Sequence, residues 1–394
     1  MNEKEVRRKA MLRYDQGEKI KNIYTSYGKS KRWFFKWLKR FKSGDPNWIQ
    51  EQSRKPHISP KKIDQKMEQA VIATRDQLVN TLYAPIGAQH ICWQMQETSS
   101  QLPSVATINR VIKRNGLTRK RPRYQAKGVK YPIFPVVNAS NILHQMDSVG
   151  PRYLKDDGRF YAINIIDAYD RRVRINPKRR QNKETIVAGI LRSWEYLGLP
   201  DFLQMDNALS TQGSHRYPHS FGLVIRLCLY LGIEPIFIPI REPWRNGIIE
   251  RFNDDFDKRF FRAQFFKNLK HLCEQAVNYE LFHDIKHRYS TLGGHTPQQH
   301  CTGIKRSLPE NFKIPEKLAI APGHIHLIRF IRSSRILDVF GEKFPMPMDV
   351  EYEYVRAAID TTKEKLFVYH DDQIVKELDY PLPKTAMDLS ELEL

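Results

Sequence analysis

A chain of 394 residues with a formal net charge of +21 is longer than one hydrophobic core fills comfortably, so two to four domains are expected. It has no apolar run near the ~20 residues of a membrane helix and no signal-peptide pattern in Met1-Asn2-Glu3-Lys4-Glu5. Its four scattered cysteines argue against a disulfide frame or a thiolate zinc site and for a reducing, cytoplasmic setting. The charge is uneven: residues 1–132 hold 29 Lys and Arg against 10 Asp and Glu, the remainder 36 against 34. An excess confined to the first third is expected of a segment that binds a polyanion such as nucleic acid.

Residues 3–43 predict three short helices. Val6, Ala10, Leu12 and Tyr14 give the first an apolar side that ends at Gly17, and Ile20, Ile23 and Tyr24 anchor the second, up to Gly28. Ser30 is a suitable N-cap for the third, in which Trp33, Phe34, Trp37, Leu38 and Phe41 form a buried stripe. Lys31, Arg32, Lys36, Lys39 and Arg40 spread over the rest of it. This is a helix-turn-helix layout whose basic third helix suits a major groove, assigned to residues 1–52. A basic, breaker-rich linker, Gly44-Asp45-Pro46 and Ser53 to His57, leads to a second helix-turn-helix unit over residues 58–124. Its helices run from Ile63 to Leu78, from Ile86 to Gln96 and from Ser104 to Asn115, the last stopped by Gly116. Arg110, Lys113 and Arg114 are its candidate DNA contacts, followed by an extended tether carrying Arg119, Lys120, Arg121 and Arg123.

Residues 138–302 change to alternating strands and helices. A strand runs up to Asp147, a hairpin signal at Lys155 to Gly158 introduces strands Arg159 to Ile166 and Arg172 to Asn176, and Lys183 to Leu197 reads as an amphipathic helix. A short run then ends at Asp206, a helix spans Phe221 to Leu231, and Pro235 to Ile240 is a buried strand. Pro243 and Asn246 open the next helix, in which Ile249, Phe252, Phe256 and Phe260 share a buried face and Glu250 lies beside it. The pattern predicts an α/β core with a mixed sheet. Two strand-end aspartates and a helical glutamate are a donor set for hard divalent cations, and two such ions suit an in-line phosphoryl displacement.

The segments Gln145-Met146-Asp147, Met205-Asp206-Asn207 and Pro243-x-x-Asn246-Gly247-x-x-Glu250-Arg251-Phe252-Asn253 resemble the motifs of the retroviral-integrase-type DDE transposases of bacterial insertion sequences. The resemblance implies an RNase H-like core in which Asp147, Asp206 and Glu250 are catalytic and bind two Mg²⁺ (or Mn²⁺) ions. It implies metal-dependent 3′-end cleavage, strand transfer into target DNA, recognition of terminal repeats by the N-terminal units and a homo-oligomeric synaptic complex at the bacterial nucleoid. The gap between Asp206 and Glu250 is longer than the family's, with residues 208–220 reading as an inserted loop. The rival reading is a catalytically silent DNA-binding regulator that keeps the fold; a nuclease without strand transfer is a third.

Other acids and bases have plainer expected roles. Asp167 and Asp170 are expected to hold a turn, Asp156 and Asp157 to sit in one, and Asp254, Asp255 and Asp257 to be solvated. His283-x-x-x-His287, with His295, His300 and Cys301 beyond, is a weak zinc spacing and reads as structural or phosphate-contacting. Arg245 and Arg251 are placed to approach a DNA backbone, and His144 is expected on the face opposite Met146. Residues 322–384 predict short strands at regular spacing, and resemble a small SH3-like β-barrel. The tail from Met387 is expected to fray.

Overall fold

A computed structural model of the chain describes residues 2–52, 63–118, 128–213 and 219–390. The linker residues 53–57 and the tether residues Arg119, Lys120, Arg121 and Arg123 lie outside the described residues. The chain forms two compact units, residues 1–64 and 65–394.

The first unit holds α1 (Glu3–Asp15), α2 (Ile20–Ser26) and α3 (Lys31–Phe41). Ser30 caps α3 as its position suggested, its hydroxyl accepting from Trp33 N at 3.2 Å. Ala10, Met11, Ile23, Phe34, Trp37 and Leu38 close the core, and the Arg7 guanidinium stacks 3.9 Å from the Trp37 ring. Lys31, Arg32 and Lys39 are exposed. Lys36 pairs with Glu51 at 3.2 Å, and Arg40 donates to Gln50 O and Gln52 Oε1.

The second unit opens with α4 (Gln65–Asn80), α5 (Ala88–Gln96) and α6 (Val105–Arg114). Arg110, Lys113 and Arg114 are exposed on α6, with Arg114 3.3 Å from Glu68. There follow β1 (Leu143–Leu154), β2 (Gly158–Asp167), β3 (Val173–Lys178), α7 (Lys183–Leu197), β4 (Phe202–Met205), the single turn α8 (Leu209–Gln212), α9 (Leu223–Tyr230) and β5 (Glu234–Phe237). β1, β2 and β3 form an antiparallel meander, β4 joins β1 in parallel and β5 joins β4 in parallel. Next come α10 (Gly247–Asp255), which runs on into a π-helical turn over Phe256–Phe261, then α11 (Leu269–Ile285) and α12 (Pro297–His300).

Helices cover both faces of this mixed sheet. On one face α7 and α9 bring Val187, Ile190, Trp194 and Leu227 onto Met146, Ile163, Ile165 and Leu203. On the other, Ile249, Phe252, Phe256 and Phe260, the stripe expected to be buried, pack with Phe160, Ala162, Val173 and Ile175. Strand alternation thus aims Met146 at one layer and Asp147 at the layer that contains α10.

The C-terminal region is all-β: β6 (Lys317–Leu318), β7 (His324–Phe330), β8 (Ile336–Val339), β9 (Glu342–Pro345), β10 (Tyr354–Asp360), β11 (Lys365–His370), β12 (Gln373–Asp379) and β13 (Met387–Asp388). Strands lie in each stretch where they were expected, but they do not close into a small barrel of their own: β7, β10 and β11, with β12, are hydrogen-bonded into the core sheet, and β8 pairs with β9. β7 lies parallel to β5, with Ile236 opposite His326 and Phe237 opposite Leu327. β10, β11 and β12 follow antiparallel, giving nine strands in the order β12-β11-β10-β7-β5-β4-β1-β2-β3. An unpaired strand edge is a template for further strands, and β7 covers the edge that β5 would otherwise leave open.

α4 and α5 are fastened to the layer that contains α10 and α11. The Tyr83 ring lies 4.9 Å from Tyr279 and 5.5 Å from Phe282, and its hydroxyl accepts from Gln264 Nε2 at 3.1 Å. Gly294, at φ +89°, passes so close to Trp93 that a Cβ there would sit 3.0 Å from the indole. Tyr83→Ala should remove roughly 3 kcal/mol of packing. Hydrogen exchange should show faster amide exchange in α4–α6 with β1–β5 unchanged.

Candidate active site

Asp147 lies on β1, and Asp206 directly follows β4. The two strands are in parallel register, Leu143 opposite Phe202 and Gln145 opposite Gln204; continuing that register sets Asp206 opposite Asp147. Neighbouring strands are about 4.8 Å apart, so the two carboxylates emerge side by side. The third, Glu250, is carried by α10, whose start is fixed by side chains from both strands. Gln145 Oε1 accepts from Ile248 N and Ile249 N, each at 3.1 Å. Asn246 Nδ2 donates to Met146 O at 2.8 Å, and Gln204 Nε2 donates to Asn246 Oδ1 at 3.1 Å. Pro243 starts a 3-10 turn, Pro243–Asn246, that leads into the helix. Gly247 is helical there, with open space where a side chain would be.

Asp147 is the most constrained of the three. Its Oδ1 accepts from Ser148 N at 2.8 Å and its Oδ2 from Asn253 Nδ2 at 2.7 Å. Asn253 is oriented in turn by buried Asn164, whose Nδ2 donates to Asn253 Oδ1 at 2.8 Å; Asn164 is Asp147's partner across β1 and β2. Burial pushes the Asp147 carboxyl up to about 6, the Ser148 amide opposes this, and the charges of Asp206 and Glu250 add to it. Burial also raises the Asp206 and Glu250 carboxyls above their ordinary values. Asp147 therefore lies within the fields of the other two carboxylates. The three do not form a closed cage: among the described residues no three or more His, Cys, Asp or Glu side chains are grouped so as to hold a metal ion.

Residues 1–49 match the family model of the homeodomain-like domain. Among solved structures, similarity is found to the HTLV-2 integrase catalytic core determined with magnesium, at 16% identity over 41% of this chain and 97% of that one, TM-score 0.32. The BIV integrase catalytic core matches at 20% identity over 41% and 93%, TM-score 0.30. A simian T-cell lymphotropic virus intasome in complex with PP2A regulatory subunit B56 gamma matches at 12% identity over 75% and 94%, TM-score 0.37. Likeness at this level leaves the chemistry to the chain's own side chains.

Two residues near the triad escaped sequence reasoning. Arg329 of β7, buried, donates to Asn207 Oδ1 at 2.8 Å and to Ile238 O at 3.0 Å. It ties the residue after Asp206 to the C-terminal strands, and burial pushes its guanidinium down to about 10. Nothing in a lone strand arginine reveals that reach. Asn164 is the other; its place opposite Asp147 is a matter of register, which the hairpin signal alone suggested.

The remaining expectations resolve as follows. Asp167 accepts from Asn141 N, Tyr169 N and Asp170 N, and Asp170 from Ser140 Oγ and Arg172, so both hold the turn after β2. Buried His144 lies 3.4 Å from Asp167, away from the triad; it was expected opposite Met146, but residues two apart on a strand share a face, and it meets Asn141 on the α7 side, as Met146 does. Asp157 accepts from Leu269 N at 2.6 Å. Asp254 is paired with Lys258, and Asp257 with Arg152 and Arg262. Asp255, expected to be solvated, is buried and 3.4 Å from both Arg251 and Arg259; its place on α10 turns it inward. Arg245 is partly buried, 4.1 Å from the Tyr131 ring and bonded to Glu242 and the Tyr354 hydroxyl. His283 bonds Asp284 and the Tyr289 hydroxyl. In the inserted loop Gly213 and Gly222 meet backbone to backbone, residues 214–218 lie outside the described residues, and His219 stacks on Tyr380.

A carboxyl whose pKa rises on folding contributes stability below the unfolded pKa and loses it as pH climbs through the folded one. In the metal-free protein Asp147 should thus cost stability between pH 4 and about pH 6 and above. Asp147→Asn should raise stability in EDTA by on the order of 2 kcal/mol at pH 8 and have little effect at pH 4, as read by thermal unfolding at the two pH values.

Proposed function

We propose that the chain is a DNA transposase, in which the basic N-terminal helices bind the ends of a mobile element and Asp147, Asp206 and Glu250 act on DNA phosphodiesters. One observation carries this reading: Asp147 and Asp206 are borne by adjacent parallel strands, Asp147 feels the charges of both Asp206 and Glu250, and the strand that bears Asp147 also caps the Glu250 helix. The homeodomain-like match and the exposed Lys31, Arg32, Lys39, Arg110 and Lys113 support DNA as the partner. Such cations contribute affinity and salt dependence rather than sequence choice. Residues 58–124 are proposed as a second DNA-binding unit and 138–302 as the catalytic region.

Partly desolvated carboxylates that repel one another suit hard cations, each satisfied by one or two carboxylates and water. Asp147, Asp206 and Glu250 would hold two Mg²⁺ (or Mn²⁺) ions, which when bound supply charge neutralisation for in-line displacement at phosphorus. The chain's own share is positional. Asn253 and Ser148 fix the Asp147 carboxylate, and Gln145 fixes the helix that carries Glu250. In cleavage, a water oxygen attacks phosphorus and the 3′ oxygen departs. In joining, that 3′ hydroxyl attacks a target phosphodiester and displaces its 3′ oxygen. Both are direct displacements, so no covalent protein–DNA intermediate is required.

The silent-regulator reading has one observation in its favour, the absence of a three-residue metal cluster among the described residues. A strand-transfer assay separates the two. Wild type and Glu250→Gln would be incubated with element-end DNA and plasmid target, in Mg²⁺ or in EDTA. Joined product that needs both Mg²⁺ and Glu250 is expected, and Asn253→Ala should slow it about 10–100-fold, the usual cost of losing a group that orients a metal ligand. DNA binding without cleavage would replace the proposal with the regulator, and cleavage without joining with a nuclease.

A further inference from the structure

On another face of α10 from Glu250, a cleft of about 350 Å³ opens between α5, the turn after β2 and the segment that follows α11. It has room for on the order of ten water molecules. Four arginines line it, Arg171, Arg251, Arg259 and Arg288, against a single carboxylate, Asp255. That carboxylate is shared, lying 3.4 Å from both Arg251 and Arg259. Arg288 reaches Glu97 outside the lining at 3.4 Å, and Arg171 donates to the Ala168 carbonyl. The cleft also receives the hydroxyl-bearing Ser290 and Thr291.

His287 supplies the second observation. It lines the cleft and is only 8% exposed. Its ring stacks on His283 and lies against Tyr289, yet neither of its nitrogens has a hydrogen-bond partner among the described residues. Burial, then the charges of His283, Arg259, His90 and Arg251, hold its pKa well below the ordinary value. A largely buried imidazole that opens into a cleft lined by several forked cations is suited to an anion, and guanidinium forks match the oxygens of phosphate.

We infer that this cleft binds a phosphate group, gripped by Arg251, Arg259 and Arg288 at its rim and by Arg171 and His287 deeper in. The group is either a backbone phosphodiester of bound DNA or a free phosphate. The site is independent of the catalytic reading, since none of these side chains belongs to the triad.

The test uses the full chain and the double variant Arg251→Gln/Arg288→Gln, both partly exposed positions, with Lys258→Gln as a control on the same helix. In one arm, unfolding temperature is compared in inorganic phosphate and in chloride at equal ionic strength. Phosphate should raise it in wild type and the control, and clearly less in the double variant. In the other arm, affinity for a duplex of arbitrary sequence is measured across salt concentrations. If a backbone phosphate occupies the cleft, the double variant should bind about 10-fold more weakly, and its log–log salt slope should shrink by about one. A response in the phosphate arm alone identifies a free phosphate, and a response with DNA identifies the backbone. If the double variant matches wild type in both arms, the inference is overturned. Should the double variant unfold in chloride, single Arg251→Gln takes its place under the same criteria.

Discussion

The first turn of α10 has its amides satisfied from outside the helix, and the candidate site depends on that cap. A helix start leaves backbone N–H groups without intrahelical partners, and here Ile248 and Ile249 give theirs to Gln145 on β1. Asn246, the residue positioned to cap its own helix, reaches instead to Met146 O and is held by Gln204 of β4. Gln145 stands two residues before Asp147, and Gln204 two before Asp206. Residues two apart on a strand share a face, so each strand presents a carboxamide that holds the helix and then an aspartate that faces it. One local periodicity serves both purposes, and Glu250 follows as a consequence of where the helix begins.

Bringing like charges together has an electrostatic cost, and the surroundings distribute it. Asp147 is raised to about 6 by burial and by its two neighbours, while the Ser148 amide and the Asn253 carboxamide draw it the other way. Asn253 lies three residues beyond Glu250 on the same helix, and Asn164 fixes it from β2. The C-terminal strands enter through Arg329, which crosses from β7 to Asn207 and Ile238. The joining of β7 to β5 therefore reaches the loop that carries Asp206, and the all-β region is part of the scaffold behind the site.

Much of this was legible beforehand because the relevant signals are local. The Ile249, Phe252, Phe256 and Phe260 stripe, the Ser30 cap and the place of Asp206 after a short strand are each set by a few neighbouring residues; Asp147, expected to end its strand, lies inside β1, which runs on to Leu154 through its hairpin pairing with β2. The turn roles of Asp167 and Asp170 were legible for the same reason. What was not legible is of another kind. Nothing local showed that Tyr131 and Tyr354 would sit against Arg245. Asp255 looked solvated because its sequence neighbours are charged, but helical phase turns it inward to Arg251 and Arg259. The arginine cleft draws on α5, α10 and the turn after β2, segments too far apart in sequence for any spacing to connect.

The sequence by itself determined which stretches form helices and strands, that Asp206 stands at the end of a short strand, and how the charge divides between the first third and the rest. These depend on backbone preference, hydrophobic period and composition, which act over a few residues at a time. Tertiary structure decided which strand edge β7 would extend, which amides Gln145 would cap, and which cations would face one another around His287. Those outcomes arise from contacts between segments tens to hundreds of residues apart, where pairing and packing in three dimensions, rather than local propensity, select the partner.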